Sequence, residues 1–278
     1  SLMSLAMPTL SIIIVNYKTP ALLKNCLTSL SATIRETSYE VIVVDSESDG
    51  EAERMLAEEF ADARCIAFKE NTGYAKAVNA GIARASGDYF LILNTDIVAT
   101  EYAIDALIAY MKKDGERVGL IAPKLYGFEN IYQQSAFRFP SPLTIVLRRT
   151  PLGSMKIFKS YLNAFLLHDK NLKDCIVPTR VDWLMGAVLL TSKEAVAHVG
   201  AMDESFFMYF EDVDWARRFW ENGYAVIYHP LARMYHYHGK KSHRKGIFDV
   251  IFNPLTRVHI RSAIRYFIKH GIRAHHYV

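Results

Sequence analysis

Through the first 122 residues, short apolar runs alternate with helically spaced segments, and this alternation constrains the chain more than any other feature. Residues 10–15 form an Ile-rich run of buried-strand type. Thr19-Pro20 supplies a helix cap and a proline for the first helical position, and Leu22, Leu23, Cys26, Leu27 and Leu30 follow at helical spacing. Residues 41–44 read as a second strand ending at Asp45, 51–60 as a helix and 64–68 as a third strand. Asn71-Thr72-Gly73 turns into a small-residue helix over 74–85, and residues 89–93 form a fourth strand running into Asn94-Thr95-Asp96. A helix near 101–113 and a strand near 118–122 complete the pattern. Such alternation predicts an α/β fold with a mostly parallel central sheet flanked by helices. Ligands bind such sheets beyond the carboxyl ends of the strands, where Asp45 and Asp96 fall.

Residues 123–180 carry weaker periodicity with prolines and many aromatics, and no elements are assigned there. The pattern returns with a strand over 186–191, a helix over 193–199, an aromatic loop over 206–210 and a helix over 211–221 stopped by Asn222-Gly223. Two strand-like runs follow, 225–228 and 233–238, and the remainder is basic and amphipathic. From residue 231 onward there are 10 Lys/Arg against the single acid Asp249, although the net charge of the 278-residue chain is only +4. A basic end on a mildly acidic body points to an anionic partner. Hydrophobic residues make up 51% of the chain, which excludes disorder, and no apolar stretch approaches the roughly 18 residues needed to span a bilayer. Three widely spaced cysteines suggest neither a disulfide framework nor a cysteine metal site, and a reducing cytosol fits them best. The expected division is a leader over 1–9, a main domain over 10–245 with halves at 10–122 and 123–245, and a basic amphipathic helical tail over 246–278.

The residue types then suggest chemistry. Asp45 and Asp96 are either turn-forming residues or, with Asn71, Gly73 and Asn79 between them, one polar rim. A carboxylate carried beyond a buried strand, as in Asn94-Thr95-Asp96, suits a hard divalent cation that also binds diphosphate oxygens. Glu211, Asp212 and Asp214 directly follow five bulky residues, Phe206 to Phe210. Acids there complement a helix N-terminus, and walled by aromatics they also gain the basicity a general base requires. Asp214 and Arg218, four residues apart, fit a pair on the helix surface. His236 and His238 lie two apart on a strand-like run, so they are either structural or share one ligand. No G-x-G-x-x-G or P-loop sequence is present, which counts against a dinucleotide enzyme or a phosphate-cradling NTPase.

These residues resemble glycosyltransferase family 2. Ser11 to Tyr17 looks like its opening strand. Val43-Val44-Asp45-Ser46, Asn71-Thr72-Gly73-Tyr74-Ala75 with Asn79 and Gly81, and Asn94-Thr95-Asp96 follow in the order of its nucleotide-sugar motifs. Asp182-Trp183 with Gly186-Ala187, Phe206 to Phe210, Glu211-Asp212-Val213-Asp214, Arg218 and His236 resemble its rhamnosyltransferase-like branch. The resemblance implies a GT-A fold, Rossmann-like, with a nucleotide-sugar-binding half and an acceptor half fused around one sheet and a C-terminal helical extension. It gives Asp45 the nucleotide base and Asp96 a divalent metal, Mg²⁺ or Mn²⁺, and through it the diphosphate. Asn16, Asn71, Gly73, Asn79 and Asn94 join them around the nucleotide sugar. His236, with His238 as its alternate, is the second metal-side ligand. Asp212 is the catalytic base, Glu211 its neighbour in the acidic pair, and Trp183 and Gly186 lie on the acceptor side. The chain departs from the family's common D-x-D in having Asn94 first, and the segment after His236 is longer and more basic.

The implied reaction is an inverting displacement on a nucleotide-sugar donor, dTDP-rhamnose first and UDP-hexoses behind it. The acceptor is a saccharide or lipid-linked hydroxyl in cell-surface polysaccharide synthesis. Competing readings are a sugar-1-phosphate nucleotidyltransferase, whose glycine-rich basic loop is replaced here by Asn16-Tyr17-Lys18-Thr19-Pro20, and a catalytically inactive glycan-binding relative. Nucleic acid is not an expected partner, since no recognition motif accompanies the basic residues. Arg257, Arg261, Arg265, Lys269 and Arg273 recur every four residues beside Ile260, Ile264, Phe267 and Ile268. That stripe suits either a helix on an anionic membrane surface, placing the protein on the cytoplasmic inner face, or a helix packed on the domain or on a second copy of the chain.

Overall fold

The structure, a computed structural model, describes residues 8–113, 115–237 and 253–278. In chain order its first elements are β1 (Leu10–Asn16), α1 (Pro20–Thr33), β2 (Tyr39–Asp45), α2 (Glu51–Glu59), β3 (Arg64–Ala67) and α3 (Tyr74–Ile82). Next come β4 (Tyr89–Asn94), β5 (Ile97–Ala99), α4 (Ala103–Met111) and β6 (Val118–Tyr126). The middle of the chain contributes β7 (Tyr132–Gln133), β8 (Ala136–Phe137), α5 (Pro142–Arg149) and α6 (Lys156–Phe165). The last stretch contains β9 (Thr179–Arg180), β10 (Trp183–Leu184), β11 (Val188–Ser192), α7 (Lys193–Val199), α8 (Glu211–Glu221), β12 (Ala225–His236) and α9 (Pro254–His270).

The α/β expectation holds. The central sheet runs β3-β2-β1-β4-β11-β6-β12-β5, with β7 and β9 added on β6 and β12. Strands β3, β2, β1 and β4 are parallel and in register, so Asn16 lies level with Asp45, and Val15 with Asn94. Strand β11 reverses direction between β4 and β6, and β12 runs parallel to β6. Two apolar layers sandwich the sheet. Ile12 and Ile14 face α1 and α4 through Leu23, Leu27 and Leu107, while Ile13 faces α3 and α8 through Val78 and Phe219. Alternate side chains of β1 feed opposite layers and all but the half-buried Val15 are buried, which is why this strand reads as an unbroken apolar run. Among the described residues no helix is long and apolar enough to cross a membrane.

Four local expectations are refined. Thr19 precedes α1, but its hydroxyl does not cap the helix; it donates to Asn16 Oδ1 (3.1 Å) and meets Thr95 Oγ1 at 2.9 Å, tying the turn to the strand ends. The runs 225–228 and 233–238 are not two strands: through His236 they form one, β12, with a register shift between His229 and Arg233. That irregularity lets one strand pair with β6 and then deliver His236 beside Ile97 of β5. The basic tail does form a helix, α9, but its Thr256, Ser262, Ala263 and Tyr266 face is buried on the body of the protein. Asp214 and Arg218 pair at 2.9 Å, yet not on the surface. Asp214 is fully buried and also meets Lys269 and His270 of α9, each at 2.7 Å.

Candidate active site

The parallel strands deliver a polar rim at their carboxyl ends. Asn16 Nδ2 donates to Asp45 Oδ1 at 2.7 Å, and both residues are almost completely buried. Asn71 Oδ1 accepts from the Gly73 amide at 3.0 Å, and the Thr72 amide donates to Ser46 Oγ at 3.3 Å. This loop is held from the other side as well. Gly73 has φ +81°, and a Cβ there would lie 2.5 Å from the Phe207 carbonyl oxygen, so only glycine fits. The Tyr74 amide donates to that carbonyl at 2.8 Å, joining the start of α3 to the aromatic loop.

Asp96 and His236 are brought together from residues 140 apart, with His236 Nε2 at 3.3 Å from Asp96 Oδ1. Gln133 Oε1 lies 3.1 Å from His236 Nδ1. A proton on Nδ1 donated to this amide leaves the Nε2 lone pair toward the carboxylate. An imidazole nitrogen beside a carboxylate oxygen fits a divalent cation of the Mn²⁺ kind. Among the described residues no third His, Cys, Asp or Glu completes a cluster, so phosphate oxygens and water would fill the other positions. His238 lies outside the described residues.

The acidic pair opens α8. Tyr209 and Phe210, the two residues before it, both have left-handed φ (68° and 67°), a conformation costing about 1–3 kcal/mol each for residues of this kind. It is held by packing: Phe210 lies against Tyr266, His259 and Phe267 of α9, and Ser262 Oγ donates to the Met208 carbonyl at 2.8 Å. Asp212 Oδ2 accepts from the Gly186 amide (2.9 Å) and Oδ1 from the Val213 amide (2.8 Å). Burial pushes the Asp212 carboxyl up to about 6 against the pull of these amides. Glu211 is pushed well above the ordinary carboxylate range, first by burial and then by Asp212. The two carboxyls titrate as a coupled pair, both held toward their protonated forms, Glu211 by burial and by its neighbour Asp212.

Of the other expected residues, Gly186 sits in this site and Trp183 beside it, its ring stacked on Phe137 (4.7 Å) and its indole N–H donating to the Arg138 carbonyl at 2.9 Å. Asn94 ends β4 next to the rim. Asn79 is a correction. Its carboxamide is spent on the backbone of Met202 (2.8 and 3.1 Å) and on Glu204, so it braces the loop ahead of the aromatic run instead of facing a nucleotide. Asp182 likewise receives the C-terminal segment, accepting from the Phe139 and Tyr277 amides and meeting His276 Nδ1 at 2.7 Å. Sequence reasoning missed Tyr74 as a site residue. Its hydroxyl donates to the Gly186 carbonyl at 2.7 Å, and burial together with Glu211, Asp212 and Asp96 raises its pKa well above 10. Its place directly after Asn71-Thr72-Gly73 was the available signal.

Comparison with known proteins agrees with this geometry. Residues 11–170 match the family described as glycosyl transferase family 2. The N-acetylglucosaminyl-diphospho-decaprenol L-rhamnosyltransferase of Mycobacterium tuberculosis is 28% identical over 249 residues, 85% of this chain and 78% of that protein. Rhamnosyltransferase WbbL of Escherichia coli K12 is 26% identical over 273 residues, 94% of this chain and 93% of the relative. Among solved structures, GalNAc-T7 with UDP, GalNAc and Mn²⁺ superposes with a TM-score of 0.67 at 15% identity, over 95% of this chain but only 48% of the other. The mannosyltransferase PcManGT of Pyrobaculum calidifontis, in complex with GDP-Man and Mn²⁺, gives 0.60 at 18% identity, over 97% of this chain and 66% of the other. Both structures share the GT-A fold expected from the motifs. The chain belongs to glycosyl transferase family 2 and is similar to its rhamnosyltransferases.

Proposed function

We propose that this protein is an inverting, metal-assisted glycosyltransferase that moves rhamnose from dTDP-rhamnose to a hydroxyl of a saccharide carried on a lipid diphosphate. The observation that carries the reading is Asp212, a buried carboxylate of raised pKa, aimed by two backbone amides and joined through Gly186 and Tyr74 to the loop at the donor rim. Asp212 takes the acceptor hydroxyl proton as that oxygen forms a bond to the anomeric carbon. The bond from that carbon to the nucleoside diphosphate breaks, and its electron pair leaves with the diphosphate. Glu211, pushed by burial and by Asp212 toward its protonated form, limits the negative charge beside Asp212. Asp45, oriented by Asn16, would receive the nucleotide base, and Asn71, Gly73 and Asn94 would line its path. A cation held by Asp96 and His236 would neutralise the leaving diphosphate. The names of the mycobacterial and Escherichia coli relatives support the sugar, and the former supports the acceptor class.

A peripheral position on an anionic membrane is part of the same proposal. While α9 buries one face, Ile264 and Ile268 on its other side are 55% and 81% exposed, near Arg257 and Arg261, and Ile272 just after it is exposed too. Such a face suits the interface of a bilayer, where each basic residue contributes about 1 kcal/mol.

The test is nucleoside diphosphate release from a panel of nucleotide sugars, with and without Mg²⁺ or Mn²⁺. The expected result is release from dTDP-rhamnose, with Asp212→Asn losing about 10²–10⁴-fold in turnover while keeping donor affinity. Consumption of added pyrophosphate to give nucleoside triphosphate and sugar 1-phosphate would indicate a nucleotidyltransferase, and no release at all a binding protein.

A further inference from the structure

On the acceptor side, a group of basic residues lies against the aromatic loop, and the reaction as described gives it no role. Arg148 and Arg149 end α5. No carboxylate pairs with either among the described residues, whereas Arg138, Arg180, Arg217 and Arg218 each have an acidic partner. The Arg148 guanidinium lies over the rings of Phe137 and Phe165, 5.6 and 5.3 Å from their centroids. Arg149 Nη1 donates to Thr256 Oγ1 of α9 at 3.2 Å. One turn along α9, the His259 ring lies tilted against Tyr209 (5.2 Å between ring centres) and edge-on to Phe210 (5.3 Å), and its buried Nδ1 has no hydrogen-bond partner among the described residues.

Arg148 is exposed and Arg149 half-buried, and with no counter-charge among the described residues their mutual repulsion would be relieved by an arriving anion. The neighbourhood feels this repulsion. Desolvation, then Arg149, lowers the Arg148 pKa, while burial and both arginines hold His259 neutral, near 4. The position is also informative. Tyr209 lies within the fields of both Arg149 and Glu211, so the basic group borders the acidic pair. Beyond it, Arg257, Ile260, Arg261 and Ile264 line a groove of about 280 Å³ whose mixed character suits an anionic head on an apolar chain.

We propose that Arg148, Arg149 and His259 form an anion seat for the acceptor, taking the phosphate or diphosphate through which its sugar is joined to a prenyl chain. The proposal rests on the glycosyltransferase reading and adds how the acceptor is recognised: two guanidiniums grip phosphate oxygens, and the neutral imidazole contributes one hydrogen bond. The seat is distinct from the donor rim, whose diphosphate would be held through Asp96 and His236.

The experiment uses the full chain in EDTA, where a cation-dependent donor site does not hold diphosphate. Farnesyl diphosphate, inorganic diphosphate and farnesol are titrated by calorimetry, and vesicles with and without anionic lipid are tested separately. Farnesyl diphosphate is expected to bind more tightly than either fragment. The double variant Arg148→Ala, Arg149→Ala should weaken it at least tenfold, His259→Ala less, and Arg148→Lys, Arg149→Lys should recover part of the loss. Binding of dTDP with Mg²⁺ to the same variants reports that the fold and donor side persist, and should stay within twofold. Undiminished binding of farnesyl diphosphate to a double variant that still binds dTDP would overturn the seat, as would equal affinity for farnesol. A loss seen only with anionic vesicles would reassign the arginines to the membrane surface and overturn it too. Failure of the glycosyltransferase reading would register separately, as no nucleoside diphosphate released from any nucleotide sugar.

Discussion

On the donor side of the cleft the polar groups satisfy one another. Asn16 holds Asp45, and Asn71 holds the Gly73 amide. On the acceptor side like groups crowd together, Glu211 against Asp212 and Arg148 beside Arg149. The contrast follows from how each side is built. Parallel strands in register present their ends side by side, so polar residues meet as partners. On the acceptor side the like groups are consecutive residues, Arg148-Arg149 at the end of α5 and Glu211-Asp212 at the start of α8, with two left-handed residues just before the latter and α9 packed against them. A prearranged rim suits a ligand that arrives with its own cation. A crowded acidic pair, with unpaired guanidiniums nearby among the described residues, suits a place where a proton or an anion changes hands.

The largest effect expected from breaking this contrast is on the donor side. Asp96→Ala should weaken Mg²⁺-dependent binding of nucleoside diphosphate by about 10²-fold, roughly 2.7 kcal/mol. Asp45→Ala should weaken nucleoside binding whether or not the cation is present. Calorimetry separates the two, and normal cation-dependent binding by Asp96→Ala would remove it from the metal role.

A smaller effect is expected where the sides are stitched together. In Gly73→Ala the new Cβ meets the Phe207 carbonyl oxygen at a backbone angle only glycine adopts easily. The expected cost is about 2 kcal/mol in denaturant unfolding. An unchanged unfolding midpoint would show that the contact between the Gly73 loop and the aromatic run carries no energy.

The donor side was largely legible in the sequence for the same reason that it is prearranged. Strands β1, β2 and β4 end at Asn16, Asp45 and Asn94, so the proposed site residues coincide with strand ends that the apolar runs already marked. Helix α8 was equally plain, with acids at its start and Asn222-Gly223 at its end. The acceptor side hid its logic. The five-residue aromatic run signals burial but not that Tyr209 and Phe210 take left-handed angles, because α9, more than forty residues later, supplies the packing that holds them. Asn79 looked like part of the rim because it follows the Asn71 loop, but helical rotation turns it toward Met202. Tyr74 and Gly186 meet across 112 positions, and no local spacing announces such a contact.

The smallest effect concerns the stability cost of the acidic pair. The folded-state pKa of Glu211 is raised above its unfolded value, so its contribution opposes folding progressively as pH rises from about 4.3. Glu211→Gln removes that opposition. Its thermal midpoint should exceed that of the unaltered protein at pH 8, by roughly 2–4 °C for each kcal/mol released, and the gain should vanish near pH 4. A gain independent of pH would mean that repulsion within the pair is not its source.

The most direct test of the account is the pH dependence of kcat/KM for nucleoside diphosphate release with acceptor present. Asp212 must be ionised to accept the hydroxyl proton, so activity should rise through an acid limb near pH 6 and level off above it. In Asp212→Asn the residual rate should lose that limb. The same limb persisting at pH 6 in Asp212→Asn would assign the proton to another group and contradict the central claim.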